Sequence, residues 1–500
     1  MNSALYIGAT GMKGLSDGMA VTTNNLANVS TIAFKQQDIQ YSDLIYTTQA
    51  HMGEWWLNQT DSRVAVGQLG KGLQVETVRT IFQQGGMESS NTLTDLAING
   101  KGFFQVTDGV SLYYTRAGDF RPDNQGVLRN PEGLALNGYK LNPDGSRGGL
   151  QAVQIDSFAT MPAKASGSMR MILNLGLDSD RTVDSAHPYF SLLAAYNANA
   201  DPPLSDAAAG FTQPITLYDA NGQARQATVY FDKVSAQDAS PNSVVEFLIA
   251  ADVPASADGT PPADGAGLLM SGTLTFSSSG QLVDMAAFTP AVDGDKNLQN
   301  WQPASLADGL PQLVLDGTPV TVDFGIKATG GWEHAPASAN DVTTQNTLPS
   351  VGDSAIRAQD ASTAYNSSSL LYLAEQDGYP EGALSYYSIG TDGIVTGHYS
   401  NGQGQDLWQI PLCRFTSEDG LRREGNNLFS ATTASGQMEM GIPGTENYGE
   451  VYAYNTELSN VDMATEMVNL IITQRGFQSN SKVVTTADQM LQKAIELKRS

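Results

Sequence analysis

The stretch whose residue types best match a catalytic motif is Gly14-Leu15-Ser16-Asp17-Gly18, which has the G-x-S-x-G spacing of a nucleophilic serine. That motif needs a strand before the serine and a helix after it, so that a sharp turn exposes the hydroxyl group. Here the five residues lie inside a heptad pattern of apolar positions, which predicts continuous helix. The sequence therefore favours a packing role, in which Gly14 and Gly18 let another helix approach closely.

The remaining residues that could carry chemistry are scattered along the chain. The four histidines lack metal-ligand spacing and are predicted to be structural or surface residues: His51, His187, His334 and His398. The glycines of residues 67–72 have the wrong spacing for a phosphate or dinucleotide site and predict a turn before a strand. Cys413 is the single cysteine, so no disulfide can form within the chain, and we expect an inert buried thiol. We therefore expect no enzymatic activity, no cofactor and no metal.

The charge of the chain narrows the class of partner. Its 500 residues include 52 acidic and 27 basic side chains, a net charge of −25. A surface of this sign repels nucleic acid and anionic membranes, so we expect neither as a partner. Residues 1–35 have a net charge of +1 and residues 457–500 a net charge of 0, which leaves −26 for the middle. Two nearly neutral ends can pack together while the acidic middle stays solvated.

The first 30 residues predict a helix with two interleaved heptad sets. Leu5, Met12, Met19 and Leu26 form one set, and Gly8, Leu15, Thr22 and Val29 form the other. The four glycines at positions 8, 11, 14 and 18 each cost a helix about 1 kcal/mol relative to alanine. The conformational entropy lost on ordering about 28 residues costs more free energy than burial of the few apolar side chains contributes. We expect this arm to be disordered in the free monomer.

The last segment predicts one long helix over residues 458–498, with Gly476 as its weak point. Val483, Met490 and Leu497 recur every seven residues, with Ala487 and Ala494 in the other register. An upstream apolar stripe consists of Val461, Met467, Val468, Ile471 and Ile472. The pattern leaves two possibilities open: helices that assemble with other copies, or two terminal helices packed on one globular core.

The middle of the chain predicts β-structure in two to four domains. Short alternating runs such as 73–78, 102–106 and 228–231 end at turn dipeptides. Those dipeptides are Asp144-Gly145, Asn221-Gly222, Asp392-Gly393 and Asn401-Gly402. Residues 196–210 and 251–267 predict exposed loops. Residues 1–30 do not have the pattern of a cleaved signal peptide, and no window is apolar enough for a membrane span. Taken alone, these features predict a cytoplasmic protein.

Both ends resemble the flagellar axial proteins, the family of rods, hooks and hook-associated proteins. The N-terminal residues that carry the resemblance are Asn24, Asn25, Leu26, Ala27, Asn28, Phe34 and Lys35. The C-terminal ones include Ser459, Asn460, Val461, Asp462, Gln474, Arg475 and Asn480. Two departures stand out: Ala33 occupies the position of the usual glycine before Phe34, and residues 452–457 lack the usual Gly-rich approach to the last helix.

Interior stretches resemble the hook members of that family. They include residues 95–104 and 114–120, which rods share, and the hook-like stretches 217–231, 274–280, 377–382 and 399–402. The resemblance implies a mainly β chain with α-helical termini that form a coiled coil, and discontinuous nested β domains between them. The resemblance implies four parts. Residues 1–35 together with 457–500 form the assembly domain of an inner tube wall, and residues 36–70 are a connecting segment. Residues 71–150 together with 360–456 form an inner β domain, and residues 151–359 form one or two outer β domains.

The resemblance also implies function, partners and location. It implies a structural subunit of a curved, flexible tube at the cell exterior, exported by the flagellar type III apparatus without a cleaved signal peptide. This overrides the cytoplasmic prediction. The implied partners are other copies of the chain, the distal rod protein, the hook cap and the hook–filament junction proteins. We expect self-assembly through Leu5, Met12, Leu15, Met19, Leu26, Val29, Val461, Val468, Ile471, Val483, Met490 and Leu497.

Three alternatives fit parts of the sequence. A distal rod protein has the same ends, but usually a shorter middle. A surface adhesin fits the acidic β body but leaves both terminal motifs unexplained. An extracellular hydrolase lacks any site that the sequence lets us assemble.

Overall fold

The computed structural model describes residues 2–44, 47–48, 68–176, 184, 186–205, 207–235, 241–253, 262–352, 354–445 and 447–499. Within them the chain is mainly β, and its helices are α1 (Asn2–Ala27), the short α2 (Ser191–Ala195) and α3 (Met463–Arg499). Since α1 and α3 pack together, the predicted fold class is confirmed. Among the described helices, none combines the length and apolarity that a membrane crossing requires.

The predicted C-terminal helix forms without interruption at Gly476, but it begins five residues later than predicted. Residues 455–457 still belong to a strand, and Asp462 then caps the helix, because its Oδ1 accepts a hydrogen bond from the Thr465 N–H at 2.6 Å. At the other end of the chain, α1 ends at Ala27. Val29, which the heptad pattern places in the helix, therefore lies beyond it.

The chain divides into two compact units. The first comprises residues 1–159, 384–399 and 403–500, and the second comprises residues 160–383 and 400–402. Short 3-10 turns lie at Leu298–Asn300, Ala339–Asp341, Gln345–Thr347 and Glu418–Gly420.

Strands of the first unit come from both sides of the second unit in the sequence. Before it are β1 (Gln37–Asp43), β2 (Thr47–Thr48), β3 (Gln68–Leu69), β4 (Leu73–Thr80), β5 (Met87–Ser89), β6 (Leu96–Asn99), β7 (Phe104–Thr107), β8 (Leu112–Thr115), β9 (Arg121–Pro122), β10 (Leu128–Arg129), β11 (Ala135–Leu141) and β12 (Arg147–Ala152).

The second unit contains β13 (Thr160–Met161), β14 (Ser168–Asn174), β15 (Phe211–Tyr218), β16 (Ala224–Lys233), β17 (Ser243–Ala251), β18 (Leu268–Phe276), β19 (Leu282–Pro290), β20 (Trp301–Pro303), β21 (Leu306–Ala307), β22 (Leu310–Leu315), β23 (Thr318–Asp323), β24 (Ile326–Lys327), β25 (Ile356–Arg357) and β26 (Leu370–Gln376). The chain then returns to the first unit through β27 (Gly382–Ile389), β28 (Ile394–Tyr399), β29 (Gly404–Gln409), β30 (Leu412–Phe415), β31 (Arg422–Gly425), β32 (Leu428–Ser430), β33 (Met438–Gly441), β34 (Glu450–Ala453) and β35 (Asn455–Glu457).

A large antiparallel sheet forms the body of the first unit, in the order β27-β28-β29-β11-β7-β8-β32-β31. Its core includes Leu96, Phe104, Phe120 and Ile410, none of which is exposed, and the rings of Phe104 and Phe120 meet edge to face at 5.6 Å. Short ladders attach the chain ends to this body, because β34 pairs with β6 and β35 pairs with β5. The strand that leads into α3 is therefore held by the body.

The second unit has a six-stranded antiparallel sheet, β15 to β20, and a five-stranded sheet in the order β21-β22-β23-β14-β26. Strand β17 is buried on both faces. Phe247 belongs to the core that also contains Leu313 and Met171 of the five-stranded sheet, whereas Leu248 belongs to a second core with Leu192 of α2. Burial on both sides explains why this strand is an almost unbroken apolar run.

The predicted turn dipeptides are confirmed. Asp144-Gly145 joins β11 to β12, Asn221-Gly222 joins β15 to β16, Asp392-Gly393 joins β27 to β28, and Asn401-Gly402 joins β28 to β29. Each glycine has a positive φ, between 75° and 79°, which only glycine adopts without strain. The segment predicted as a connection, 36–70, contributes β1, β2 and β3, and β1 pairs with β4 in an antiparallel hairpin.

Candidate assembly site

The terminal helices form an antiparallel pair that is closest at glycine positions. A Cβ atom at Gly8 would lie 2.7 Å from Val484 Cγ2, and one at Gly476 would lie 3.1 Å from Leu15 Cδ1. The partners of successive α1 residues move toward the start of α3, so the two helices run in opposite directions. Because each glycine lacks a Cβ, the backbones approach more closely than larger residues would allow.

Two other glycines of α1 admit the β1–β4 hairpin. A Cβ at Gly14 would lie 2.2 Å from Leu73 Cδ1, and one at Gly18 would lie 2.1 Å from Tyr41 Oη. The prediction that both glycines admit another helix is therefore wrong for Gly14. It holds at Gly18 only through Thr473 Cγ2, at 3.8 Å. Helix α1 thus packs on α3 and on the hairpin.

The whole of residues 14–18 is helical, so the serine elbow that the G-x-S-x-G spacing would need does not exist there. Within the described residues no three His, Cys, Asp or Glu side chains are grouped as metal ligands would be, and His51 lies outside those residues. Cys413 is fully buried, and burial raises the pKa of its thiol to about 12. A protonated, inaccessible thiol is unreactive at neutral pH.

Of the two heptad sets predicted for the C-terminal helix, the set of Val483, Met490 and Leu497 is largely exposed, whereas Ala487 of the other set is buried. The less exposed positions of α3 recur at spacings of three and four: Glu466, Leu470, Thr473, Phe477, Asn480, Val484, Ala487 and Leu491. Five of the predicted assembly residues are instead largely exposed: Val468 (55 %), Ile471 (50 %), Val483 (48 %), Met490 (59 %) and Leu497 (78 %). All five leave apolar surface exposed. Val483 also borders α1, because its Cγ1 would lie 3.9 Å from a Cβ at Gly8.

The other predicted assembly residues are partly or fully buried. Leu5, Met12, Leu15, Met19 and Leu26 are half-buried along α1, and Val29 is half-buried beyond its end. Val461 is 8 % exposed and precedes α3. The residues chosen on α1 therefore belong to packed faces, whereas most of those chosen on α3 do not.

A buried cluster of three charges joins both helices to the β body; we call it the junction cluster. Glu457, just before α3, accepts hydrogen bonds from Lys35 Nζ at 2.5 Å and from Arg116 Nε at 2.8 Å. The side chains of Lys35 and Glu457 are fully buried, and that of Arg116 is 4 % exposed. Lys35 follows α1 and Arg116 belongs to the body, so one carboxylate ties three parts of the chain together.

The junction cluster is well satisfied by hydrogen bonds. Lys35 Nζ also donates to the carbonyl oxygen of Gln83, and the guanidinium of Arg116 donates to three carbonyl oxygens. Burial alone would raise the pKa of Glu457, but the charges of Arg116 and Lys35 outweigh it and hold that pKa below its ordinary value. For Lys35, burial lowers the pKa more than Glu457 raises it. A single anion thus compensates two buried cations.

Asparagines of the two family motifs satisfy backbone groups around the junction cluster. Asn25 makes a pair of hydrogen bonds with the backbone of Gln37, at 2.8 and 2.9 Å. Asn460 accepts from the Gln36 N–H and donates to the carbonyl oxygens of Ile81 and Gln83. Buried backbone groups need such partners, which gives asparagine, with both a donor and an acceptor, a clear role.

The remaining motif residues have less connected positions. Phe34 is buried, with the guanidinium of Arg423 5.0 Å from the centre of its ring. Asn24 and Asn28 are hydrogen-bonded near the end of α1, and Ser459 accepts from the Val461 N–H. Ala27, Gln474 and Arg475 are exposed, and Asn480 faces Gly11.

Sequence reasoning missed Arg116, Glu457 and Gln36 as site residues. Lys35 was identified only through a motif. No local pattern marks Glu457 as its partner, because the two residues are 422 positions apart. Burying a lysine without an anionic partner costs free energy, and this was the one available signal that Lys35, once buried, needs a carboxylate beside it.

Comparison with known proteins gives three matches to family models. They are "Flagellar hook protein FlgE/F/G D1 domain" over residues 97–168, "Flagellar basal body protein FlaE D2 domain" over 183–379, and "Flagellar basal body rod FlgEFG protein C-terminal" over 454–497. They fall on the body of the first unit, on the second unit and on α3.

Curated relatives match over the full length. Flagellar hook protein FlgE of Borreliella burgdorferi is 29 % identical and that of Treponema pallidum 27 %, each over 100 % of both chains. The protein of the same name from Escherichia coli is 28 % identical over 98 % of both chains. The crystal structure of Helicobacter pylori flagellar hook protein FlgE2 aligns with a TM-score of 0.44 and 15 % identity, over 73 % of this chain and 98 % of that one.

Replacing Glu457 by Gln should lower the free energy of unfolding by about 3–5 kcal/mol at pH 7, because two buried cations lose their anion. The pKa of Glu457 is lower in the folded than in the unfolded chain, so its stabilising effect is complete above the ordinary carboxyl pKa. It is lost as the pH falls from there through the folded pKa. Protonated Glu457 resembles Gln, so the difference between the proteins should shrink in acid. Denaturant unfolding of both at several pH values measures this, and a constant difference would contradict it.

Ala33 replaces a motif glycine and retains the left-handed backbone, with φ of 54° and its N–H donating to the Glu457 carbonyl oxygen at 2.7 Å. Ala33→Gly should change the free energy of unfolding by less than about 1 kcal/mol. Relief of about 1–2 kcal/mol of strain offsets about 0.8 kcal/mol for the lost methyl and about 0.5–1 kcal/mol of chain entropy. Ala33→Val, with a branched Cβ, should destabilise strongly. Urea unfolding tests both, and a loss above about 1 kcal/mol for the glycine variant would contradict the strain assigned to Ala33.

Proposed function

The chain belongs to the family of flagellar hook proteins, and we propose that it assembles through its terminal helices into a curved, flexible tube that transmits torque from the motor to the filament. The observation that carries this proposal is the apolar surface of α3 that α1 leaves uncovered. It consists of two patches, one around Val468 and Ile471 and one from Val483 to Leu497. Exposed apolar patches on a single copy indicate an interaction surface.

A second copy is the partner that fits these patches. The surfaces of α1 and α3 differ, so a contact between them in different copies is heterologous and need not close into a ring. A head-to-tail contact that does not close generates a helical assembly, which is the form of a hook. We place the terminal helix pair, from residues 1–35 and 457–500, in the inner wall of that tube. The inner β domain of 71–150 with 360–456 and the outer part, 151–359, lie outside it.

The charge of the second unit supports weak outer contacts. It contains 8 Lys and Arg against 25 Asp and Glu, a net charge of −17, whereas the first unit has −8. Like charges on neighbouring outer units oppose tight adhesion. A hook bends while it rotates, so each row of subunits must lengthen and shorten, and weakly adhering outer surfaces allow that sliding.

We propose further partners and a location, which the resemblance to the family supports. They are the distal rod protein, the hook cap, the hook–filament junction proteins and the type III export apparatus, with the hook outside the cell. The full-length relatives are hook proteins, which favours this function over a distal rod protein or an adhesin. The family is structural, and we propose that the chain has no enzymatic activity.

Replacing Leu15 and Met19 together by Asp should abolish polymerisation while the β body stays folded. Two carboxylates on the packed face of α1 would oppose its docking on α3 and on neighbouring copies. Electron microscopy and sedimentation of the purified chain measure assembly, and circular dichroism measures the β body. Ser16→Asp, on the exposed side of the same helix, is the matched control. Long tubes formed by the double variant would refute the role of α1.

Ile471→Asp and Met490→Asp should each prevent polymerisation without destabilising the monomer. Both side chains are at least half exposed, so their replacement should change the free energy of unfolding by less than about 0.5 kcal/mol. Gln478→Asp adds the same charge to another exposed position of α3 and should leave assembly intact. Critical concentrations from sedimentation compare the three variants. Equal values for all three and the wild type would rule out α3 as the surface between copies, and straight rigid tubes would favour a rod.

A further inference from the structure

The first unit has an uncharged groove in a strongly acidic chain. Its volume is about 350 Å³, and we call it the tyrosine groove, lined mainly by Leu93, Tyr386, Tyr387, Val451, Tyr452 and Tyr454. None of its lining residues is charged. The nearest carboxylate, that of Glu450, lies outside the lining and accepts a hydrogen bond from Tyr452 Oη at 2.7 Å. Tyrosine buries a large ring and retains a polar hydroxyl group, which suits a surface that is exposed before it is covered.

Tyr454 in this groove has a strained backbone. Its φ is +58°, in the left-handed region, where a bulky residue is an outlier, and the Ser90 N–H donates to its carbonyl oxygen at 2.6 Å. The side chain is 49 % exposed. Strain retained for a half-exposed aromatic ring points to a role of the ring in binding.

A matching apolar knob lies on the turn between β7 and β8, residues 107–112, which we call the Val110 turn. Val110 is 95 % exposed and Leu112 is 48 % exposed. Asp108 Oδ1 accepts from the N–H groups of Val110 and Ser111 at 2.8 and 2.6 Å, and Thr107 Oγ1 donates to the Ser111 carbonyl oxygen at 2.9 Å. These bonds fix the turn before any partner arrives, which lowers the entropy cost of docking.

Val110 does not occupy the groove of its own copy, because its side chain is 95 % exposed. Strands β28, β29 and β11 lie between β7 and β27 in the sheet, so four strand spacings, roughly 19 Å, separate the Val110 turn from the β27 wall of the groove. We propose that the Val110 turn of one copy docks in the tyrosine groove of a second copy. This contact rests on the proposed function. It would be a second contact between copies, beside the one made by the terminal helices, and it is heterologous because the turn and the groove are different surfaces.

Cross-linking between two chains that each carry one added cysteine tests the contact. Full-length Val110→Cys and Tyr454→Cys chains are mixed in equal amounts, polymerised under reducing conditions and then oxidised. The native Cys413 does not interfere, because it is buried and protonated. We expect at least tenfold more disulfide-linked dimer than in a mixture of Asn124→Cys with Tyr454→Cys. Asn124 is exposed in another turn of the same unit. Equal dimer yields from the two mixtures would overturn the contact. So would a dimer yield in dilute, unassembled chains that equals the yield after polymerisation.

A charge substitution gives an independent measurement. Val110→Asp should raise the critical concentration for polymerisation at least tenfold with no change in the unfolding midpoint, because the side chain is almost fully exposed. Asn124→Asp should leave both unchanged. Unchanged assembly of Val110→Asp would refute the proposed contact alone, whereas a wild-type chain that never polymerises would refute the proposed function as well.

Discussion

The terminal helices are held to the β body by one buried carboxylate. Glu457 lies between two cations, Lys35 and Arg116, that come from the two other parts of the chain that meet there. Lys35 and Arg116 repel each other, and each would be costly to bury without an anion. The junction therefore depends on the last residue of β35, even though α1 and the hairpin precede it by hundreds of residues. Asn25 and Asn460 add hydrogen bonds that fix the backbone around it.

The glycines of α1 explain how a weak helix packs in this position. Glycine lowers the helix propensity of the segment, and it also removes the Cβ atoms that would keep neighbours apart. Gly8 admits α3 and Gly14 admits the hairpin, so both sides of the helix are covered closely. The stability of α1 thus comes from its surroundings rather than from its own backbone. This is consistent with an arm that orders on assembly, although the ordering itself stays a prediction.

The α3 helix combines two surfaces with different roles. One faces α1 with apolar residues such as Val484 and with small or polar residues, including Thr473, Gly476 and Asn480. The other exposes Val468, Ile471 and Met490 to solvent in a single copy. Burial of apolar side chains is the main source of free energy in association, so the exposed face is the one with most to gain from a neighbouring copy. The acidic second unit adds repulsion, which suits contacts that slide.

Local sequence determined the features that depend on local physics. The turn dipeptides confirm this, because positive φ is a property of single residues, and the long helices follow from periodicity alone. Tertiary structure decided what depends on distant partners. It placed Val484 closer to α1 than Val483, at 2.7 against 3.9 Å from a Cβ at Gly8, since the sequence offers more than one apolar stripe and the shape of the glycine-lined partner fixes the rotation of the helix. It paired Lys35 with Glu457 across 422 positions and kept Ala33 left-handed where glycine is usual, because packing around the junction overrides local preference.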